Sequence, residues 1–125
     1  MDDPALDPIW EKLQDKQMIC FIHPHYGMGP ANSLFNGYGH SLHLALGFPF
    51  ETTTMIARLV LSGVLERFPK LMLLLAHSGG TLPFLAGKLD ACVKADSVMA
   101  NKLPKAPSEY LQQIYYDALS YHTPR

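Results

Sequence analysis

Two histidines stand directly after two apolar segments of the chain. His23 follows Phe21-Ile22, and His77 follows Leu75-Ala76. In parallel α/β folds, functional residues gather at the carboxyl ends of the strands, where the strand-to-helix loops converge. Imidazole binds divalent metal ions and also moves protons near neutral pH. The two positions predict one shared polar site; the alternative, a histidine held only by a backbone partner, is weaker for two such residues than for one.

The tripeptide His23-Pro24-His25 has the HxH spacing of many metal sites. On a regular strand this spacing places both imidazoles on one face, where they can share one metal ion. Pro24 removes a hydrogen-bond donor and indicates that the strand ends at His23. We therefore assign metal ligation to His23 and treat His25 as a substrate contact.

The run Ala76-His77-Ser78-Gly79-Gly80 comes just before a predicted helix. Glycines let backbone N–H groups approach a bound anion closely, and the N-terminus of a helix favours negative charge. A bound carboxylate is one interpretation of this run. The other is that the two glycines only make the turn.

Four further polar residues lie where they could contribute to such a site. His40 and His43 lie three apart in a helical stretch, 39–47, and are predicted to be surface or packing residues. Asp117 lies inside the third apolar run and is predicted to be a hydrogen-bonded structural carboxylate. His122 lies beyond the end of that run, where it could face the cleft.

The elements that must position these residues alternate along the chain. Hydrophobic periodicity and turn residues predict helices over 8–16, 52–68 and 82–95, and strands over 17–22, 71–76 and 114–119. Such alternation implies parallel strands joined by right-handed crossovers, and hence an α/β architecture. The loop-rich stretch 24–39 is a candidate binding loop. Thr81 is predicted to cap the helix that begins at Leu82.

Composition narrows the class of protein. The 125 residues include 10 Lys and Arg and 11 Asp and Glu, so no strongly basic face indicates nucleic-acid binding. The longest apolar run, 71–76, is far shorter than the roughly 20 residues that cross a bilayer, and the acidic start is unlike a signal peptide. The sequence therefore predicts a cytoplasmic protein with no nucleic-acid or membrane partner. Cys20 and Cys92 lack CxxC spacing and are predicted to be buried and reduced.

Three phrases of the sequence carry a family resemblance. FIHPHYG at 21–27, GFPFETT at 47–53 and LAHSGGTLPF at 75–84 resemble, in order and spacing, the amidohydrolase-related (ACMSD-like) metal-dependent decarboxylases. The resemblance covers nearly the whole chain. Within the family, the first and third phrases are most similar to the fungal 5-carboxyuracil (isoorotate) decarboxylases.

The resemblance implies a (β/α)8 TIM barrel with one divalent metal ion, usually zinc and sometimes manganese, at the carboxyl ends of the strands. It aligns the chain with about strands 5 to 7 and their helices, so that 1–125 is expected to be a central fragment of a barrel domain. His23 matches the metal ligand of the fifth strand. His77 matches the sixth-strand histidine that takes part in acid or base work, and Asp117 matches a seventh-strand aspartate that is not a ligand.

The activity implied is non-oxidative decarboxylation, by a carboxy-lyase, of a small aromatic or heterocyclic carboxylic acid. The first-strand HxH pair and the eighth-strand aspartate that complete the family's metal site are absent from this sequence. A catalytic zinc takes about three protein ligands, so the isolated chain is expected to be inactive. The alternatives are a noncatalytic truncated protein, whose three strands would leave two edges unpaired, and a hydrolase of the same superfamily. Family members are commonly dimeric, which makes a homodimer the implied assembly.

Overall fold

The structure, a computed structural model, describes residues 1–25 and 35–119. Helices and strands alternate through these residues. The helices are α1 (Asp7–Asp15), α2 (Phe48–Leu61), α3 (Val64–Arg67), α4 (Leu82–Ala95) and α5 (Pro107–Leu111). The strands are β1 (Ile19–Ile22), β2 (Met72–Leu75) and β3 (Tyr115–Tyr116). Short 3-10 turns occupy Pro4–Leu6 and His77–Gly79, and a π-helical turn, His43–Gly47, leads directly into α2.

The three strands form one parallel sheet in the order β1-β2-β3. In its register Leu75 lies beside Ile22 on one side and beside Tyr116 on the other. Leu73 and Leu75 on one face of the central strand are fully buried, whereas Met72 and Leu74 on the other face are partly exposed. The predicted α/β architecture with parallel strands is therefore confirmed.

The core lies between the sheet and α2. Ile56, Leu59 and Val60 on one face of α2 are completely buried, as the helical spacing of these residues predicts. Burying each such side chain contributes about 1.5–3 kcal/mol relative to leaving it in water. Packing against this helix therefore holds the central strand, and the loop that follows it, in place.

The predicted helix over 52–68 is wrong in both its start and its continuity. Helix α2 begins four residues earlier, at Phe48, and ends at Leu61. Gly63 adopts a left-handed conformation, φ 78°, which breaks the helix before α3 begins. A C-terminal glycine of this kind is a common helix stop. The apolar pattern conceals the break, because Val64 is also fully buried in the core.

Other predicted features are partly right. Helix α4 has the predicted bounds, with its proline in the first turn. The third strand is shorter than predicted, since β3 holds only Tyr115–Tyr116 and Ile114 is buried before it. Both cysteines are free, as predicted, but Cys20 is only half-buried and Cys92 is exposed, so the prediction that they are buried is wrong.

One helical stretch, His43–Leu61, is long and apolar enough to cross a membrane when judged by length and composition alone. The core helix of a soluble protein can pass the same test. Ile56, Leu59 and Val60 in this stretch are completely buried by the rest of the chain. The stretch is therefore weak evidence for a membrane span, and the expectation of no membrane partner stays a prediction.

The fold has a tight approach at Gly80 that can be tested. Gly80 has a left-handed φ of 66°, and a Cβ there would overlap the backbone carbonyl oxygen of Pro49. We expect Gly80→Ala to lower the free energy of unfolding by about 3 kcal/mol, from strain and overlap together. Gly87 of α4 is the control, because a Cβ there meets nothing within 4 Å. Gly87→Ala should raise the free energy of unfolding by about 0.5–1 kcal/mol, because alanine favours a helix more than glycine does. Urea unfolding measures both, and equal effects would contradict the structure.

Candidate active site

The carboxyl ends of the three strands bring three polar residues to one edge of the sheet. His23 directly follows β1, His77 follows β2 after Ala76, and Asp117 directly follows β3. The imidazole rings of His23 and His77 lie 5.1 Å apart between centroids. The structure thus brings the two histidines together, as their positions after adjacent strands indicated, whereas their roles in a site stay predictions.

The ring of His23 is oriented by the backbone. Its Nδ1 lies 2.6 Å from the carbonyl oxygen of Pro24. A carbonyl oxygen can only accept, so Nδ1 carries the proton and donates it. In the neutral form of the ring this bond leaves the lone pair on Nε2, which is the atom that could bind a metal ion. The edge-to-face contact with Phe48, 5.9 Å between centroids, supports the ring from one side.

The ring of His77 is held in a drier environment. It is half-buried, its centroid lies 6.0 Å from that of Phe48, and its Nδ1 lies 3.5 Å from the hydroxyl oxygen of Thr52. Burial lowers the pKa of His77, the charge of His23 lowers it further, and the carboxylate of Asp117 opposes both. His77 is thus suited to exchange a proton rather than to remain permanently charged.

The turn that carries His77 has an unusual backbone. His77 and Ser78 have φ values of 56° and 52°, and Gly79 and Gly80 have 79° and 66°. Left-handed conformations cost non-glycine residues about 1–3 kcal/mol each and persist only where the surroundings hold them. The carboxylate of Asp117 hydrogen-bonds to the backbone of both residues. Its Oδ1 accepts from the N–H of Ser78 at 2.7 Å and its Oδ2 from the N–H of His77 at 3.2 Å.

Of the two interpretations of the run 76–80, the structure favours the one in which the glycines make the turn. The N–H groups of Gly79 and Gly80 donate to Ala76 and His77 within the turn. Those of His77 and Ser78 donate to the chain's own carboxylate, Asp117. All four N–H groups therefore already donate to acceptors within the chain rather than to a ligand. The prediction that Asp117 is a hydrogen-bonded structural carboxylate is confirmed by the same bonds.

Thr81 does not cap α4 with its side chain, so that prediction is also wrong. The hydroxyl of Thr53 donates to the carbonyl oxygen of Pro49 at 2.7 Å. It also accepts from the N–H of Thr81 at 2.9 Å, and the two threonine hydroxyl oxygens lie 3.1 Å apart. Because the proton of Thr53 points to Pro49, the hydroxyl of Thr81 donates to Thr53. These bonds fasten the turn to the first residues of α2.

The remaining candidates lie around this centre. The backbone N–H of His25 donates to Glu51 Oε1 at 3.3 Å, at the start of α2, and its role in substrate binding stays a prediction. His43 packs against Phe35, with 5.5 Å between ring centroids, and His40 is exposed, so their prediction as packing and surface residues is confirmed. His122 and most of the loop 24–39 lie outside the described residues.

Sequence reasoning missed two residues that touch the histidines. Phe48 contacts both rings, and the buried Thr52 faces His77. Both belong to the phrase GFPFETT, so the sequence contained the signal but not the contact. Only the packing of α2 against the sheet reveals it.

A cavity opens beside His77. Its volume is about 470 Å³, within the usual range for small-molecule sites. Its lining is mainly apolar, with the hydroxyl of Ser41 and the imidazole of His77 as polar members. The lining residues are Ser41, Leu44, Ala45, Pro49, His77, Gly80 and Leu119. The arrangement can take a small, mostly apolar molecule that carries a reactive polar group.

The metal-binding capacity of this edge is limited. Within residues 1–25 and 35–119, no group of three or more His, Cys, Asp or Glu side chains is placed to hold a metal ion. A catalytic zinc takes about three protein ligands. His23 fits as one ligand, because its Nε2 is available, but the described residues do not complete a site.

A family model described as Amidohydrolase (Amidohydro_2) matches residues 1–117. The chain belongs to the amidohydrolase family. The predicted family resemblance is confirmed.

Among curated relatives, this amidohydrolase chain is 32% identical over 120 residues to the 2-amino-3-carboxymuconate-6-semialdehyde decarboxylase of Dictyostelium discoideum, covering 95% of the chain and 32% of the relative. Among solved structures it is similar to the Metarhizium anisopliae IDCase in apo form, with a TM-score of 0.85 and 42% sequence identity. The match covers 94% of this chain and 33% of the IDCase chain. It is also similar to a mutant 5-carboxyvanillate decarboxylase, LIGW2 of Novosphingobium aromaticivorans, with TM-score 0.73, 27% identity and coverage of 92% and 34%. That structure holds manganese and 3-methoxy-4-hydroxy-5-nitrobenzoic acid. The chain spans about a third of each.

The proximity of the two histidines predicts that His23 influences the pKa of His77. We expect His23→Asn to raise the pKa of His77, because the mutation removes the second cause that lowers it. Burial, the larger cause, remains, so the pKa should stay below its ordinary value. An NMR titration of the imidazole Cε1–H resonances in metal-free protein measures this shift. An unchanged or lower His77 pKa would show that the two rings do not interact.

Proposed function

We propose that this amidohydrolase chain is part of a metal-dependent, non-oxidative decarboxylase, a carboxy-lyase that acts on a small aromatic or heterocyclic carboxylic acid. The observation that carries the proposal is the pair His23 and His77, whose rings lie 5.1 Å apart at the ends of adjacent parallel strands. The relatives support the same reaction class, since the curated relative and the 5-carboxyvanillate enzyme are both decarboxylases.

A divalent metal is the cofactor in this proposal, with zinc or manganese as the ion. Manganese is supported by the LIGW2 structure, which contains it. His23 would hold the ion through Nε2, and the other ligands would come from outside the described residues. When bound, such an ion polarises the oxygen atoms of an acidic substrate and stabilises the charge that develops on them.

His77 is the proposed proton carrier. When the bond to the carboxyl carbon breaks, the electron pair stays on the ring carbon and CO₂ leaves. A proton from the imidazole of His77 then completes the C–H bond. A lowered pKa favours this release, and the hydroxyl of Thr52 beside Nδ1 leaves Nε2 to face the reacting carbon. His25 is the proposed contact for the polar end of the substrate.

The cavity beside His77 supports the substrate class. Leu44, Pro49 and Leu119 give it apolar walls that suit a flat ring, and Ser41 provides a hydroxyl for a ring substituent. Apolar walls also exclude water, which strengthens the electrostatic interactions within the site.

We further propose that the chain forms about strands 5 to 7 of a (β/α)8 barrel, as a central fragment, 1–125, of that domain. Open edges of the sheet support this placement. Among the described residues, β1 and β3 each pair with β2 alone. Ile19, Phe21 and Tyr115 on one face of the sheet are 61%, 54% and 58% exposed, as expected for a face that the rest of a barrel would cover. The proposal includes a cytoplasmic location, no nucleic-acid or membrane partner, and a homodimer as the assembly.

We expect the isolated 125-residue chain to release no CO₂, because its described residues supply one metal ligand of the three that are needed. The test incubates the chain with Zn²⁺ or Mn²⁺, measures bound metal by mass spectrometry, and assays CO₂ release from 5-carboxyuracil and 2,6-dihydroxybenzoate. Stoichiometric metal with turnover would contradict the expectation that this chain alone is inactive, and would itself support decarboxylase activity.

The same open edges and incomplete ligand set favour a second candidate, a noncatalytic truncated protein. The mass of the natural polypeptide in its source cells separates the two, using tryptic peptides from 52–88. A species well above 13.9 kDa, with peptides outside this sequence, supports the decarboxylase. A species at 13.9 kDa alone supports the noncatalytic protein.

Histidine variants of the natural polypeptide test the separate roles. We expect His23→Asn to lose both metal and activity. His77→Asn should keep its metal and lose roughly 10²- to 10⁴-fold in kcat, as for removal of a general acid. His40→Asn is the matched control, because His40 is exposed and has no assigned role. Full activity in His77→Asn, with metal bound, would exclude the proposed proton transfer.

A further inference from the structure

We propose that Asp117 is a positioning residue that holds the left-handed turn His77–Gly80 and thereby fixes the imidazole of His77 beside His23. Asp117 does not touch the reacting atoms in this proposal, since it acts through the backbone of the turn. The catalytic part of the inference rests on the proposed function, whereas the hold on the turn stands on the structure alone.

The bonds of Asp117 are directed at the two residues that need them. The carboxylate accepts from the N–H of Ser78 at 2.7 Å and from the N–H of His77 at 3.2 Å. The hydroxyl of Ser78 donates in return to the backbone carbonyl of Asp117 at 3.1 Å. These three bonds join the turn after β2 to the residue after β3. Hydrogen bonds to a charged acceptor are roughly twice as strong as neutral ones.

The turn needs this support because its first two residues are not glycines. His77 and Ser78 carry side chains at φ values of 56° and 52°, where such residues are uncommon. The next two positions are closed to side chains, since a Cβ on Gly79 would lie 2.7 Å from the ring of Tyr116. The two glycines adopt a positive φ without strain, whereas His77 and Ser78 do not. The hydrogen bonds of the Asp117 carboxylate therefore go to the two residues whose backbone is strained.

The carboxylate itself is firmly placed by the sheet. The N–H of Asp117 donates to the carbonyl oxygen of Leu75 at 3.0 Å, which continues the pairing of β2 and β3. The hydroxyl of Tyr116, the residue before it, donates to the carbonyl of Leu111 at 2.8 Å. The pairing of β2 and β3 thus fixes the position of Asp117, and Asp117 in turn fixes the position of the turn. Thr52 contacts the His77 ring from α2, so the ring and its backbone are held by separate elements.

Hydrogen–deuterium exchange in the natural polypeptide tests the hold on the turn. Asp117→Ala should accelerate exchange of the His77 and Ser78 amides by at least about tenfold, because both lose a charged acceptor. Asp117→Asn, which keeps one acceptor oxygen, should have a smaller effect and covers the case in which the alanine variant does not fold. Asp96→Ala is the matched control, since Asp96 also accepts from two backbone N–H groups, those of Val98 and Met99. Asp96→Ala should accelerate amide exchange only in the turn that contains Val98 and Met99.

Kinetics test whether the hold acts through His77. In the metal-loaded natural polypeptide, Asp117→Ala or Asp117→Asn should lower kcat, by up to roughly 100-fold, as expected when a reacting group is misplaced by about 1 Å. In a His77→Asn background the same change should lower kcat less than about twofold, because the group being positioned is gone. Asp96→Ala should leave kcat unchanged in both backgrounds.

Two results would overturn the inference. One is unchanged exchange at His77 and Ser78 in both Asp117 variants. The other is a fall in kcat that is as large in the His77→Asn background as in the wild type, because it would show that Asp117 acts independently of His77. If the wild-type polypeptide releases no CO₂ from the acids tested, the proposed function fails, and exchange at the turn still decides whether Asp117 holds it.

Discussion

The parallel register of the three strands fixes where every polar residue of the site lies. Because Ile22, Leu75 and Tyr116 are neighbours across the sheet, the residues that follow them emerge at the same edge. His23 and Asp117 are far apart in sequence, yet both come to lie beside the turn that carries His77. A slip of one residue would reverse the faces of the strand side chains and separate His23 and Asp117 from the turn that carries His77. The buried side chains of β2 oppose such a slip.

The strained turn is possible only because the surrounding structure is firm. Left-handed conformations at His77 and Ser78 cost free energy that the core and the local bonds must offset. The core provides the fully buried face of α2, and the start of the same helix provides the contacts of Thr53 with the turn. One helix therefore stabilises the sheet through its apolar face and the turn through its hydroxyl groups. This arrangement explains why Thr52 and Thr53, although polar, lie in the packed first turns of α2.

Local sequence patterns predicted the features that depend on local physics. The bounds of α4, the central strand and the order of elements follow from periodicity, a first-turn proline and a continuous apolar run. The break at Gly63 could not be read in the same way, because the apolar positions continue on both sides of it. The short β3 and the role of Thr81 also depend on contacts with distant elements. In the site, position after a strand was enough to find His23 and His77, while the bonds of Asp117 to the turn required the register of the sheet.

The two histidines differ in what their surroundings prepare them to do. The carbonyl of Pro24 accepts the Nδ1 proton of His23, which leaves Nε2 of the neutral ring as an acceptor. His77 sits in a drier place and is held from two sides, which suits a group that must change protonation without moving. Orienting such groups before the substrate arrives avoids reorganisation during the reaction. In the proposed site, the metal ligand and the proton carrier would therefore be oriented by contacts with the backbone and with α2.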